Sequence, residues 1–197
     1  MNQFADWTQE LKTAPSVEPV SAAEAKLHCR VDVADDDTLF TILIQAAREY
    51  AETYTGRQII TAHWYFMGSA FPSGDIILPK SPLQTVTSVK YNDLNGNQQT
   101  FANTNYTVMT PAHGLGRVAL NYDTSWPSAR IEAESIIVEY VAGYGDAAAN
   151  VPQGVRAAIL MLINGMYDYR APVTDVRIQA LPTVHNLLAA ERILSIV

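Results

Sequence analysis

The chain has 197 residues, of which 48% are hydrophobic and 17% charged, a composition typical of an ordered globular protein and not of a disordered one. Its formal net charge is −7 and its 13 lysines and arginines form no basic run, which argues against a protein whose task is to grip nucleic acid. No apolar stretch is long enough to cross a membrane, and the N-terminus lacks the basic region and apolar run of a secretory signal, so we expect neither feature.

Residues 1–20 are predicted to form an N-terminal arm. Phe4, Trp7 and Leu11 would share one face of a helix, and Pro15 and Pro19 punctuate the end of the segment. Two interpretations remain open at this point: the arm docks on a partner, or it is a frayed terminus.

Two helices are predicted next. Ser21 and Glu24 form a capping box that opens a short helix to about Arg30. A longer helix follows over 37–55, and Gly56 is the expected stop because glycine adopts the left-handed conformation without steric cost. Apolar side chains recur along this longer helix at helical spacing and form one broad stripe: Leu39, Phe40, Leu43, Ile44, Ala46, Ala47, Tyr50, Ala51 and Tyr54. The two helices are expected to pack as an αα-hairpin.

The period then changes to that of strands. Segments rich in β-branched and aromatic residues alternate with turn residues, and Asn95-Gly96 is the strongest hairpin signal. The predicted strands are Ile59–Met67, Asp75–Leu78, Thr85–Tyr91, Gln98–Phe101, Tyr106–Met109, Arg117–Leu120 and Ile136–Val141. Residues 58–142 are therefore expected to form a mainly antiparallel, β-rich insertion.

A third amphipathic helix is predicted after Pro152, with its apolar face formed by Val155, Ala158, Ile159, Leu162, Ile163 and Met166. It should pack on the 37–55 helix, so that 21–57 and 150–170 make one helical core. Residues 171–197 are predicted to be a C-terminal tail with a short helix suggested by Leu187, Leu188, Ile193 and Leu194. The expected fold class is α+β, with a small helical core and a mainly antiparallel β insertion.

Three adjacent carboxylates, Asp35, Asp36 and Asp37, are the first candidates for chemistry. The alternating calcium-loop pattern with its central glycine and closing glutamate is absent, which favours a charge cluster at the positive end of a helix. The four histidines lie on different predicted elements without metal-ligand spacing: His28, His63, His113 and His185.

The remaining candidates favour structural roles. Cys29 has no disulfide partner and is expected to be a small buried helix residue in a reducing cytoplasm. The glycine-rich stretch 113–116 lacks a phosphate-binding lysine and is predicted to be a hairpin loop. Trp126-Pro127 is expected to be a packed aromatic before a turn, and residues 141–145 a strand end. No catalytic, cofactor-binding or metal-ligating residue is assigned, and the chain is interpreted as a non-enzyme.

Five segments, in this order and with similar spacings, resemble the head–tail connector (adaptor, or head-completion) family of long-tailed bacteriophages and prophages: VEPVSAAEAKLHCRVD, DDDTLFTILIQAAREYAETYTGRQI, FPSGDIILPKSPLQTVTSVKY, SWPSARIEAESIIVEYVAGYG and VPQGVRAAILMLINGMYDYR. The resemblance covers residues 17–170. The leader before Thr13 and the tail after Arg170 depart from the family pattern.

This resemblance implies a structural virion protein at the head–tail junction, assembled in the host bacterial cytoplasm. It implies a homo-oligomeric ring, typically of about twelve subunits, beneath the portal protein, with head-to-tail contacts between copies. The ring extends the DNA channel and docks the stopper or tail-completion protein. DNA passes through without specific binding, and the C-terminal tail is a candidate for contact with the portal.

Three alternatives from other classes stay open on the sequence. A nucleic-acid-binding module of the packaging machinery would need a basic face. A hydrolase or metal enzyme would need Asp35–Asp37 beside a histidine in a concave site. A globular α+β domain with an unknown partner needs neither.

Overall fold

The computed structural model describes residues 6–111, 114–168 and 182–193. The helices are α1 (Ala22–Cys29), α2 (Asp37–Thr55), α3 (Gln153–Asp168) and α4 (Pro182–Ala189). The strands are β1 (Thr8–Thr13), β2 (Ala62–Gly68), β3 (Ile76–Ile77), β4 (Leu83–Asn92), β5 (Gln98–Phe101), β6 (Tyr106–Met109), β7 (Arg117–Leu120) and β8 (Ile136–Ala142). The α+β class predicted from the sequence is confirmed.

The chain divides into two compact units. The strand unit comprises Met1–Ala14 and Thr61–Gly143, and the helical unit comprises Pro15–Ile60 and Tyr144–Val197. The chain therefore passes from one unit to the other three times.

The ends of the first two helices follow the local sequence signals. Ser21 and Glu24 complete the predicted capping box at the start of α1. Arg30 closes that helix in the left-handed conformation, with φ 57°. At the end of α2, Gly56 has φ 71°, which is the conformation that favours glycine at this position.

Over its described residues, the helical unit has one hydrophobic core to which α1, α2, α3 and α4 contribute. Ile44 of α2 and Ile159 of α3 lie in it together, so the predicted packing of these two helices is confirmed. Val184 and Leu188 bring α4 into the same core. Each large apolar side chain buried in this way contributes roughly 1.5–3 kcal/mol relative to exposure.

The strand unit contains two antiparallel sheets. The five-stranded sheet has the order β1-β2-β8-β4-β5, and the three-stranded sheet has the order β3-β7-β6. Side chains from both sheets share one core, for example Phe66 and Val138 from the first sheet and Ile76 and Val118 from the second. The predicted antiparallel character of this segment is confirmed.

Two predictions about local structure are wrong. Residues 8–13 form β1 instead of a helix, because they pair with the edge of β2; Trp7 is buried, whereas Leu11 is 43% exposed. Phe4 lies outside the described residues. The strand predicted from Ile59 begins only at Ala62, because the buried Ile59 and Ile60 belong to the helical core.

Candidate functional site

The three carboxylates at the start of α2 do not converge on a common point. Asp37 accepts a hydrogen bond from Lys26 Nζ at 2.6 Å, and Asp36 accepts one from Tyr167 Oη at 2.6 Å. Asp35 is exposed. Two of the three carboxylates thus bind different elements, an arrangement that ties the start of α2 to α1 and α3.

The histidines in the described residues also lie apart. His28 is exposed on α1 and His63 is half-buried on β2. His185 on α4 stacks on the ring of Tyr54 at 5.0 Å between centroids and shares a hydrogen bond with Tyr50 Oη at 3.1 Å. His113 lies outside the described residues. Over the described ranges, no three His, Cys, Asp or Glu side chains are grouped so as to hold a metal ion.

The other sequence candidates have packing roles. Trp126 stacks on Phe71 at 4.8 Å between centroids and donates from Nε1 to the Gly74 carbonyl at 3.0 Å, as expected of a packed aromatic. Cys29 is half-buried instead of fully buried, and burial raises the pKa of its thiol. Gly114 lies in the loop that joins β6 to β7, where its carbonyl accepts from Ser81 Oγ at 2.7 Å.

One cavity of the helical unit, with a volume of about 350 Å³, includes titratable groups. It is lined by His28, Met161, Asn164, Gly165, Asp168, Thr183 and Val184. Asp168 there already accepts a hydrogen bond from Asn164 Nδ2 at 2.8 Å. Among the residues that the structure describes, the lining contributes one imidazole and one carboxylate, fewer groups than a catalytic or metal-binding set needs.

A buried ionic network joins three segments of the helical unit. The sequence patterns did not predict this network. Arg48 Nε donates to Glu18 Oε2 at 2.8 Å, and Arg48 Nη1 donates to Glu52 Oε2 at 3.1 Å. The other Glu52 oxygen accepts from Gln58 Nε2 at 2.7 Å and from Ile59 N at 3.1 Å. The network therefore fixes the chain before α1 and the chain after α2 to the middle of α2.

The Arg48 side chain stays charged in this site. Its burial alone would lower the pKa of the guanidinium, but the hydrogen bond to Glu18 and the charges of Glu52, Glu18 and Glu49 raise it overall. The sequence signal was available, since Arg48 and Glu52 are spaced i, i+4 and sit beside Ala47 and Ala51 on the apolar stripe.

The end of the described chain is bound within the helical unit. Ile193 N donates to the Thr55 carbonyl at 2.9 Å, and Arg57 Nε donates to the Glu191 carbonyl. Tyr144 Oη donates to Glu191 Oε2 at 2.8 Å, and burial raises the pKa of that phenol. The part of the predicted tail from residue 182 to 193 is thus packed on its own core.

Most basic side chains of the described residues are paired with carboxylates. The ion pairs are Lys12–Glu139, Lys26–Asp37, Arg48–Glu18, Arg48–Glu49, Arg48–Glu52, Arg57–Glu191, Arg117–Asp75, Arg130–Glu132 and Arg156–Glu24. Such pairing leaves little concentrated positive charge for phosphate binding. Over the same residues, no helix has the length and apolar character that crossing a bilayer requires.

Several large apolar side chains are exposed and are candidates for contact with other proteins. In the helical unit they include Leu27 at 81% and Ile42 at 60% exposure. In the strand unit the most exposed are Tyr122 at 92%, Ile131 at 82% and Leu94 at 70%. These exposed apolar side chains lie in both units of the described chain.

Residues 21–110 match the sequence model of the phage gp6-like head-tail connector protein family. The match begins at the cap of α1 and reaches the end of β6. A comparison with curated proteins gave no match.

Three solved structures are similar to this chain. A chain in the neck of an empty gene transfer agent (GTA) particle computed with C6 symmetry has a TM-score of 0.81 at 22% identity, over 96% of this chain and 97% of that chain. A chain in the virion of the native GTA particle has a TM-score of 0.80 at 20% identity, over the same shares. One in the neck of the native particle computed with C12 symmetry has a TM-score of 0.77 at 20% identity, again over 96% and 97%.

At these identities the solved structures establish the fold, and the family model adds the sequence pattern. The resemblance drawn from the sequence is thereby confirmed: over residues 21–110 the chain carries the pattern of the phage gp6-like head-tail connector protein family.

Proposed function

We propose that this protein is a structural head–tail connector, which forms a ring beneath the portal of a phage-like particle. The ring extends the DNA channel and offers a docking surface to the stopper or tail-completion protein. The family match over residues 21–110 is the observation that carries the proposal. This role is mechanical, and we propose no catalytic group, cofactor or metal for it. Its place is the head–tail junction of the virion, after assembly in the host cytoplasm.

Cyclic symmetry supports the ring. The neck structures of the GTA particle were computed with C6 and C12 symmetry, and chains in them share the fold of this protein. A ring needs head-to-tail contacts, in which one patch of a copy meets a different patch of the next copy. We infer a ring of twelve copies, in keeping with the C12 symmetry of that neck.

The charge of the chain fits a channel through which DNA slides. The formal net charge is −7, and most of the described basic side chains are held by carboxylates of the same chain. Few counterions would leave DNA on contact with such a surface, so the salt-dependent attraction that drives non-specific DNA binding is weak. DNA is expected to pass without specific binding.

We further propose that the helical unit carries portal docking and contacts between copies, while loops of the strand unit face the tail or the outside. The helical unit supports this because one core and the buried Arg48 network make it a single rigid block. A rigid block loses little conformational freedom on assembly.

Sizing the purified protein by multi-angle light scattering, alone and with the portal protein of the same particle, tests the proposal. Portal alone is the matched control. The expected result is a small species alone and a complex with portal whose mass corresponds to a closed ring of copies. A stable dimer whose mass is the same with and without portal would overturn the connector function.

A further inference from the structure

The N-terminal strand lies at one edge of the five-stranded sheet. Among the described strands, β1 pairs only with β2, in an antiparallel register that runs from Thr8 opposite Met67 to Thr13 opposite His63. On its other side β2 pairs with β8 along its whole length. Without β1, β2 would be the edge of the sheet and would present an unpaired row of N–H and C=O groups.

The aromatic side chain of Trp7 anchors β1. Trp7 lies against Gly68 and packs on Phe66 in a tilted arrangement, with 4.7 Å between ring centroids and 39° between the ring planes. A Cβ on Gly68 would lie 2.2 Å from a Trp7 ring atom, so the glycine forms the floor of a notch that the indole fills. The remaining contacts are mostly backbone pairs, since the side chains of β1 are exposed except for the half-buried Gln9.

Charge complementarity adds selectivity. Lys12 Nζ forms an ion pair with Glu139 on β8 at 2.6 Å and lies over the ring of Tyr65 at 5.2 Å. Asp6 accepts a hydrogen bond from Ser69 Oγ. In strand addition, backbone pairing supplies affinity and pockets for side chains supply specificity, and the notch at Gly68 is such a pocket for Trp7.

The chain soon after β1 is held by the helical unit. Glu18 binds the buried Arg48, the Pro19 carbonyl accepts from Arg156 Nε at 3.0 Å, and Val20 is 1% exposed in the core. Only residues 14–17 connect β1 to these anchors. β1 thus makes its contacts in the strand unit while a short, proline-containing link joins it to the helical unit.

We propose that the edge of β2 is a strand-acceptor site, and that its occupant in the assembled ring is β1 of the neighbouring copy. A second copy brings the same strand, so the Trp7 notch, the register and the Lys12–Glu139 pair are all retained when the strand is exchanged. When each copy donates its β1 to the next copy, the contact is head-to-tail, and the series of contacts is complete when the ring closes. The inference rests on the proposed ring and adds a contact between strand units.

Mixed-pool disulfide formation tests this exchange. In a Cys29→Ser background, one pool carries Glu10→Cys and the other carries Tyr65→Cys, since Glu10 and Tyr65 are register partners. Neither pool can close this disulfide within a single chain. The pools are mixed, assembled on portal, oxidised and run on a non-reducing gel. Thr100→Cys on exposed β5 replaces Tyr65→Cys in the control pool, because Thr100 is remote from β1 in the sheet order.

The expected result is a disulfide-linked dimer containing one chain of each pool, at least tenfold more abundant than in the Thr100→Cys control. If one variant does not fold, Thr13→Cys and His63→Cys form a second register pair with the same readout. Rings without mixed dimers would overturn strand exchange and leave the connector function standing. Absence of any ring would overturn both.

Discussion

Ile44 and Ile159 lie in the same hydrophobic core, although the main segment of the strand unit, Thr61–Gly143, comes between them in the chain. The strand unit is therefore inserted between two helices that pack together. Both side chains are almost fully buried, with 3% and 0% exposure. This packing makes the helical unit one body, which is what a building block of a ring requires.

Truncation of Ile159 tests this core. Ile159→Ala should lower the free energy of unfolding by about 2–5 kcal/mol, because it removes buried methyl groups and leaves a cavity between helices. Urea denaturation followed by circular dichroism measures the change. Ile42→Ala on α2 is the matched control: Ile42 is 60% exposed, so its change should stay within about 0.5 kcal/mol. Equal losses in the two variants would show that Ile159 is not a core residue.

The Arg48 network predicts that loss of a buried ion pair lowers the stability of the protein much more than loss of an exposed ion pair. Arg48→Met should destabilise the protein by about 3–5 kcal/mol, because Glu18 and Glu52 lose the cation that balances them. Lys26→Met, at the pair with the exposed Asp37, should cost no more than about 1 kcal/mol. Thermal unfolding of the variants gives both values. A smaller loss for Arg48→Met than for Lys26→Met would contradict the assigned role.

Gly68 should be intolerant of even one methyl group. Gly68→Ala places a carbon 2.2 Å from a Trp7 ring atom, so the indole must leave its notch and β1 must loosen. We expect a loss of about 1–3 kcal/mol and a red shift of tryptophan emission. Gly74→Ala is the control, because nothing lies within 4 Å of a Cβ there. Unchanged emission and stability in Gly68→Ala would argue that Trp7 does not rest on this glycine.

The capping box of α1 predicts a pH dependence. Backbone and side-chain hydrogen bonds from Ser21, followed by the bond and charge of Arg156, hold the pKa of Glu24 below its usual value. At pH values between the folded-state and unfolded-state pKa of Glu24, the unfolded chain binds more protons than the folded chain. The stabilisation is therefore complete above the unfolded-state pKa, and it is lost as the pH falls through the folded-state pKa.

Denaturation of the wild type and Glu24→Gln across pH measures this contribution. The wild type should be the more stable at pH 7, and the difference should shrink as the pH falls below about 4.3, the ordinary value for glutamate. A difference that is the same at pH 7 and at pH 3 would mean that the Glu24 carboxylate is not the group responsible.

Local sequence signals were sufficient to predict the packing of the two long helices and one β-hairpin. The apolar stripe of α2 and the face around Ile159 indicated two helices that share a core, and Asn95-Gly96 indicated the β4–β5 hairpin. These signals are local, so one sequence is enough to detect them.

Features decided by long-range contacts could not be predicted in the same way. The spacing of Trp7 and Leu11 fits a helix, but pairing with β2 and the notch at Gly68 make the segment a strand. Ile59 and Ile60 have strong β propensity, yet Glu52 binds the Ile59 amide and both side chains fill the helical core. The edge contact of β1 has no sequence motif, because Trp7 and Gly68 meet across two strands that lie far apart in the chain.

Cryo-electron microscopy of the protein assembled on its portal tests the central claim most directly. The expected map shows a closed ring beneath the portal, with Ile44 and Ile159 sharing one core in every copy and the helical unit against the portal. A map with no ring density, or with the strand unit buried against the portal, would contradict the account.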